Sequence, residues 1–137
     1  MATFTSASPA DTQKIGREFA ASLPRGSVIA LVGQLGAGKT QFVKGLAAGI
    51  GASGEVTSPT FTLLHEYIDG RFPVYHFDFF RIEDRQAAER LGLDEYFFGD
   101  GISVVEWADK FRDAIPANAV WISFETKSED QRLITLP

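Results

Sequence analysis

Eight consecutive residues, Gly33-Gln34-Leu35-Gly36-Ala37-Gly38-Lys39-Thr40, carry the strongest chemical signal in the chain. They match G-x-x-x-x-G-K-[ST] in full, the pattern of a phosphate-binding loop. Glycines let the backbone curl until successive N–H groups face one point and form a nest for an anion. A helix opening from such a loop adds the positive end of its dipole. Lys39 is then placed to reach the β- and γ-phosphates of ATP or GTP, and the Thr40 hydroxyl to ligate the bridging Mg²⁺. By chance these residue types coincide in roughly one chain of this length in 200, so the flanking elements must decide whether the match is real.

Binding a nucleotide is not hydrolysing it, which needs groups that position Mg²⁺ and water. Asp78 follows Val74-Tyr75-His76-Phe77, and Glu106 follows Ile102-Ser103-Val104-Val105. Both acids close apolar strands, where open α/β sheets collect ligands; either could instead cap a helix or be solvated. Thr57-Ser58-Pro59-Thr60-Phe61 reads as a switch-like loop whose hydroxyls approach Mg²⁺ or the γ-phosphate, or as an ordinary turn. Trp107 stacks on a base or belongs to the core. His65 and His76 lie at alternating positions on predicted strands and read as structural; two His without Cys make no zinc site. Arg71, Arg81, Arg85 and Arg90 read as surface charges, and nothing selects one as an arginine finger.

The elements around the loop support it. Residues 27–32 form an apolar, β-branched run without alternation, the mark of a strand covered on both faces. Residues 40–50 read as a helix with Phe42, Val43, Leu46, Ala47 and Ile50 on one side. An earlier helix begins at Ser8, with Pro9 at its first position and Asp11 as the capping acid. Ile15, Phe19 and Leu23 mark its predicted buried stripe. Residues 3–6 are an expected edge strand. Residues 61–68 and 72–79 are two strands with Asp69-Gly70 as a hairpin turn between them. A short helix is expected over residues 84–91, and further strands over 102–105, 120–124 and 133–136. The predicted fold is α/β, a single P-loop NTPase-like domain over residues 1–137, three-layered with a central mixed β-sheet.

Composition narrows the partners. With 13 Lys and Arg against 18 Asp and Glu, the formal charge is −5. That balance argues against gripping a nucleic-acid backbone unaided, which requires cationic neutralisation of phosphates. The chain has no cysteine, which excludes disulfides and thiolate metal sites. No apolar run approaches the roughly 20 residues of a membrane span, and the first residues lack a secretory pattern. The expected location is the cytoplasm, with no membrane contact.

Together the motifs resemble the TsaE (YjeE) family of bacterial ATPases in tRNA threonylcarbamoyladenosine biosynthesis. The resemblance rests on the phosphate loop, then Thr57-Ser58-Pro59-Thr60-Phe61-Thr62-Leu63, Tyr75-His76-Phe77-Asp78 with Arg81, Gly92-Leu93-Asp94-Glu95-Tyr96-Phe97, and Val104-Val105-Glu106-Trp107, in that order. It implies ATP as nucleotide, Lys39 on the phosphates, and Thr40 and Glu106 as Mg²⁺ ligands. It further implies that Asp78 assists hydrolysis, that Trp107 lies close to the base and that Ser8-Pro9 lies near the adenine. TsaD and TsaB are the implied partners, so tRNA is met only through the complex. Gln34 stands where many members have an acid, and Phe79-Phe80 where Leu-Tyr is common; the chain stops at Pro137, sooner than many members do.

Two rival functions use the same loop. A small kinase needs an acceptor pocket and an arginine-bearing lid, for which the chain is short. A nucleotide-sensing regulator keeps the loop but does not need both Asp78 and Glu106.

Overall fold

The computed structural model describes residues 2–34, 36–52, 64–80 and 82–137. In chain order they form β1 (Ala2–Ser6), α1 (Pro9–Ala20), β2 (Val28–Gly33), α2 (Lys39–Ile50), β3 (Leu64–Tyr67) and β4 (Val74–Asp78). There follow α3 (Arg85–Glu89), α4 (Leu93–Phe97), β5 (Ile102–Glu106), a 3₁₀ segment (Ala108–Ala114), β6 (Val120–Thr126) and β7 (Arg132–Leu136). The strands make one seven-stranded sheet in the order β1-β7-β6-β2-β5-β4-β3. Its centre is parallel, through β6-β2, β2-β5 and β5-β4, and its edges are antiparallel, through β1-β7, β7-β6 and β4-β3. The sheet is therefore mixed, as expected.

Alternation along β2 divides the interior. Ile29 and Leu31 join the core under α1 and α2. Val28 and Ala30 join the opposite core, with Ala88 of α3, Leu93 and Phe97 of α4, and Ala108. Helical layers thus cover both faces of the sheet, which gives the predicted three layers.

Helix α2 shows packing outweighing propensity. Gly45 and Gly49 lie in its interior and each costs about 1 kcal/mol against Ala. Phe42, Val43, Leu46 and Ile50 are fully buried, each contributing roughly 1.5–3 kcal/mol. The glycines also have a use, because α1 crosses α2 there. A Cβ on Gly45 would collide with the Gln13 carbonyl oxygen, and one on Gly49 would lie 2.7 Å from the Arg17 carbonyl oxygen.

Two expectations change in detail. The fully buried residues of α1 are Thr12, Gly16 and Ala20, whereas Ile15, Phe19 and Leu23 are only half-buried against the core. The helix turns its small side toward α2 so that the backbones can approach. Asp69-Gly70 is likewise not a two-residue turn: the last strand pair is Tyr67 with Val74, leaving residues 68–73 as the connection. Gly70 packs against the end of α2, where a Cβ would sit 2.8 Å from the Ile50 carbonyl oxygen. Close approach explains this glycine better than turn geometry.

Candidate active site

Three central strands deliver the site. β2 runs directly into the glycine loop, β4 ends at Asp78 and β5 ends at Glu106. In the parallel register Leu31 pairs with Glu106, and Glu106 with Asp78. Both acids therefore stand side by side at the carboxyl edge of the sheet, next to the strand that feeds the loop. The cleft there measures about 800 Å³ and is lined by Ser8, Pro9, Lys39, Thr40, Asp78, Glu106 and Trp107, among others. That volume lies within the range of small-molecule and cofactor sites.

Gly36 (φ 79°) and Gly38 (φ 99°) are left-handed, a conformation most L-residues resist. They turn the loop into α2, whose N-cap is Gly38. Lys39 folds back over the loop, its Nζ donating to the carbonyls of Gly33 at 2.5 Å and Gln34 at 3.0 Å. It is only 4% exposed. Burial lowers its pKa, while Glu106, Asp109 and Asp78 pull it back up.

The Thr40 hydroxyl donates to Glu106, 3.2 Å from Oε1 and 3.3 Å from Oε2. A hydroxyl and a carboxylate in contact are hard oxygen donors, the kind Mg²⁺ takes alongside substrate phosphates. Among the described residues no cluster of three or more His, Cys, Asp or Glu is arranged to hold a metal. Asp78 is buried, and its Oδ1 accepts the Phe80 N–H at 2.9 Å. Burial raises its pKa, the Phe80 bond opposes this, and Glu106 raises it further; His76 and Lys39 act downward.

Trp107 is the one non-glycine with positive φ among the described residues, at φ 58°, ψ 36°. A left-handed conformation costs roughly 1–2 kcal/mol for an L-residue. Here it directs the indole onto Lys39, with Nζ 4.0 Å from the ring centroid, and onto Phe80, with centroids 4.9 Å apart. The indole thus lies beside the loop lysine.

Pro9 opens α1 beside the loop. Ser8 caps that helix by accepting the Asp11 N–H, and Asp11 Oδ2 accepts the Ala7 N–H. Ser6 and Thr12 share a 2.6 Å hydroxyl bond beneath, and a Cβ on Gly38 would touch Thr12. Gln34, Gly36, Ala37 and Gly38 follow the loop path described; Leu35, Arg81 and the segment 57–61 lie outside the described residues.

Two residues of the site escaped the reading of the sequence. His76 is fully buried, and its Nε2 lies 2.5 Å from Glu106 Oε2. Alternation was the available signal, since His76 is two residues from Asp78 and shares its face of β4. Arg132, on β7, lines the cleft and donates to the Gly36 carbonyl at 3.2–3.3 Å. Its Nη1 also donates to the carbonyls of Ser128, Glu129 and Gln131. It staples the β6–β7 turn to the phosphate loop, a contact that no local pattern announces.

A glycine loop with a buried lysine, a Thr–Glu pair and a second acid is common to many nucleotide-binding proteins. The sequence model of the family described as "Threonylcarbamoyl adenosine biosynthesis protein TsaE" matches residues 6–134. The chain belongs to the TsaE family. A Bacillus subtilis relative, "tRNA threonylcarbamoyladenosine biosynthesis protein TsaE", is 46% identical over 127 residues, covering 93% of this chain and 79% of the relative. A Treponema pallidum protein of the same name is 41% identical, covering 96% of each. The crystal structure of Bacillus subtilis YdiB matches with a TM-score of 0.86 at 38% identity, covering 98% of this chain and 83% of that one. The P-loop NTPase-like fold expected for a TsaE protein is thus the one present. No helix among the described residues of this TsaE chain is long and apolar enough to cross a membrane.

Proposed function

We propose that this TsaE chain binds ATP with Mg²⁺ and hydrolyses it in support of threonylcarbamoyladenosine formation at position 37 of tRNA, acting with TsaB and TsaD. The observation that carries the reading is the convergence of Lys39, Thr40, Glu106 and Asp78 in one cleft. Backbone N–H groups of residues 36–39 receive the phosphates. Lys39 leaves its two carbonyl partners for the stronger charge-assisted contact to the β- and γ-oxygens. Thr40 and Glu106 would hold Mg²⁺, which would supply charge neutralisation for the phosphates. Asp78, at the edge of the same cleft, orients the attacking water. Ser8-Pro9 flanks the nucleoside, and the cytoplasm is the proposed location.

A sensor without turnover needs the loop but not two acids in register beside it, so the pairing of Asp78 with Glu106 favours hydrolysis. The deciding measurement is steady-state phosphate release by the chain alone, by TsaB with TsaD, and by all three. Slow release alone and faster release by the three together is the expected result. Fast turnover by the isolated chain, unaltered by the others, contradicts partner stimulation. Acceleration that persists in Lys39→Ala assigns the activity to a partner.

A further inference from the structure

Behind the Thr40–Glu106 pair lies a group that the proposed reaction does not use. His76 projects from the middle of β4, is fully buried, and has its Nε2 2.5 Å from Glu106 Oε2. Its other ring nitrogen, Nδ1, is buried with no hydrogen-bond partner among the described residues. This asymmetry sets the direction of the contact. A proton on Nδ1 would be a buried donor without an acceptor, costing about 1–3 kcal/mol. With the proton on Nε2, the ring donates to the carboxylate and leaves only a bare lone pair at Nδ1. Glu106 is then held from two sides, by Thr40 at the cleft and by His76 from within the sheet.

We propose that His76 is a positioning residue: its Nε2–H fixes the Glu106 carboxylate in the orientation that presents it to the Thr40 hydroxyl and to a divalent ion that these two residues would hold. The inference rests on the proposed role of Glu106 as an Mg²⁺ ligand. Free rotation of the Glu106 carboxylate would present its oxygens in many directions, and an ion taking few protein ligands depends on those few being aimed. Partners that hold a ligand from behind matter nearly as much as the ligand, typically by roughly 10–100-fold in metal affinity. His76 is fully buried on a central strand, paired in register with Val104, which keeps water from substituting for the imidazole.

The test titrates Mg²⁺ into the full chain with ADP by calorimetry, and repeats ADP binding in EDTA. In His76→Gln the amide nitrogen reaches the Nε2 position; in His76→Asn it stops at the Nδ1 position; in His76→Phe there is no donor. Apparent Mg²⁺ affinity should fall roughly 10–100-fold in His76→Asn and His76→Phe and stay within a few-fold of the parent in His76→Gln. ADP binding in EDTA should be the same for all. Parent-like Mg²⁺ affinity in His76→Asn overturns the proposal. So does an equal loss in the Gln and Asn variants accompanied by weaker ADP binding in EDTA, which marks a packing role. Glu106→Gln separates the two layers of argument. If it leaves Mg²⁺ dependence intact, the ligand assignment itself fails; if it removes that dependence while His76→Asn does not, only the role of His76 fails.

Discussion

The Lys39 ammonium sits over the Trp107 indole, with Nζ 4.0 Å from the ring centroid. This contact joins the phosphate loop to the residue that directly follows the candidate metal ligand Glu106, and it makes the indole a reporter on where Lys39 points. Adding ADP should draw Lys39 toward the phosphates and change the emission of Trp107. Trp121 sits on β6 with Arg112 over its ring at 4.7 Å, and it should respond less. The change should persist in Trp121→Phe and vanish in Trp107→Phe. The opposite pattern refutes the placement.

Lys39→Ala should sharply weaken ATP binding. The loop loses its one side-chain cation against a polyphosphate, at a cost of at least ~1.5–3 kcal/mol for a hydrogen bond to a charged group. Since each 1.4 kcal/mol is about tenfold, titration calorimetry should register a loss of at least roughly tenfold. Unchanged affinity would sink the phosphate-loop assignment.

Asp78 gives a prediction with a sign in pH. Burial raises its carboxyl pKa above the ordinary 3.8, so the folded state holds this proton more tightly than the unfolded chain. Its contribution is then most favourable below the unfolded pKa and is lost as pH rises through the folded one. Asp78→Asn keeps an oxygen for the Phe80 N–H and removes the buried charge. It should therefore melt at a higher temperature than the parent at pH 7, with the difference shrinking as the pH falls toward 3.8. A lower Tm at pH 7 contradicts this. Asp78→Ala should reduce phosphate release more than it reduces nucleotide affinity.

Gly45→Ala tests the crossing of the two helices. Alanine improves helix propensity by about 1 kcal/mol, but its Cβ meets the Gln13 carbonyl oxygen inside contact distance. Overpacking of this kind costs about 1–3 kcal/mol and occasionally more. The clash should win, so urea denaturation should show a net loss of stability. A variant more stable than the parent would mean that α1 does not approach α2 this closely.

How much of this was legible beforehand follows from how far each signal reaches. The phosphate loop is contiguous, so its glycines, lysine and threonine declare themselves in eight residues. The strands declare themselves by apolar runs, and Asp78 and Glu106 by closing two of them. The helix cap at Ser8 and the buried face of α2 are equally local, because each rests on spacings of three or four residues. Only the assembled sheet decides the rest. Thr40 and Glu106 are 66 positions apart, and they meet because β5 inserts between β2 and β4. Arg132 reaches Gly36 across 96 positions through the return of β7 along β6. Alternation assigned His76 to a face of β4 but could not name what lies opposite, since strand order is not written in any one strand. The half-turned stripe of α1 has the same origin: periodicity marks the larger apolar side, whereas the close approach of two backbones selects the smaller one.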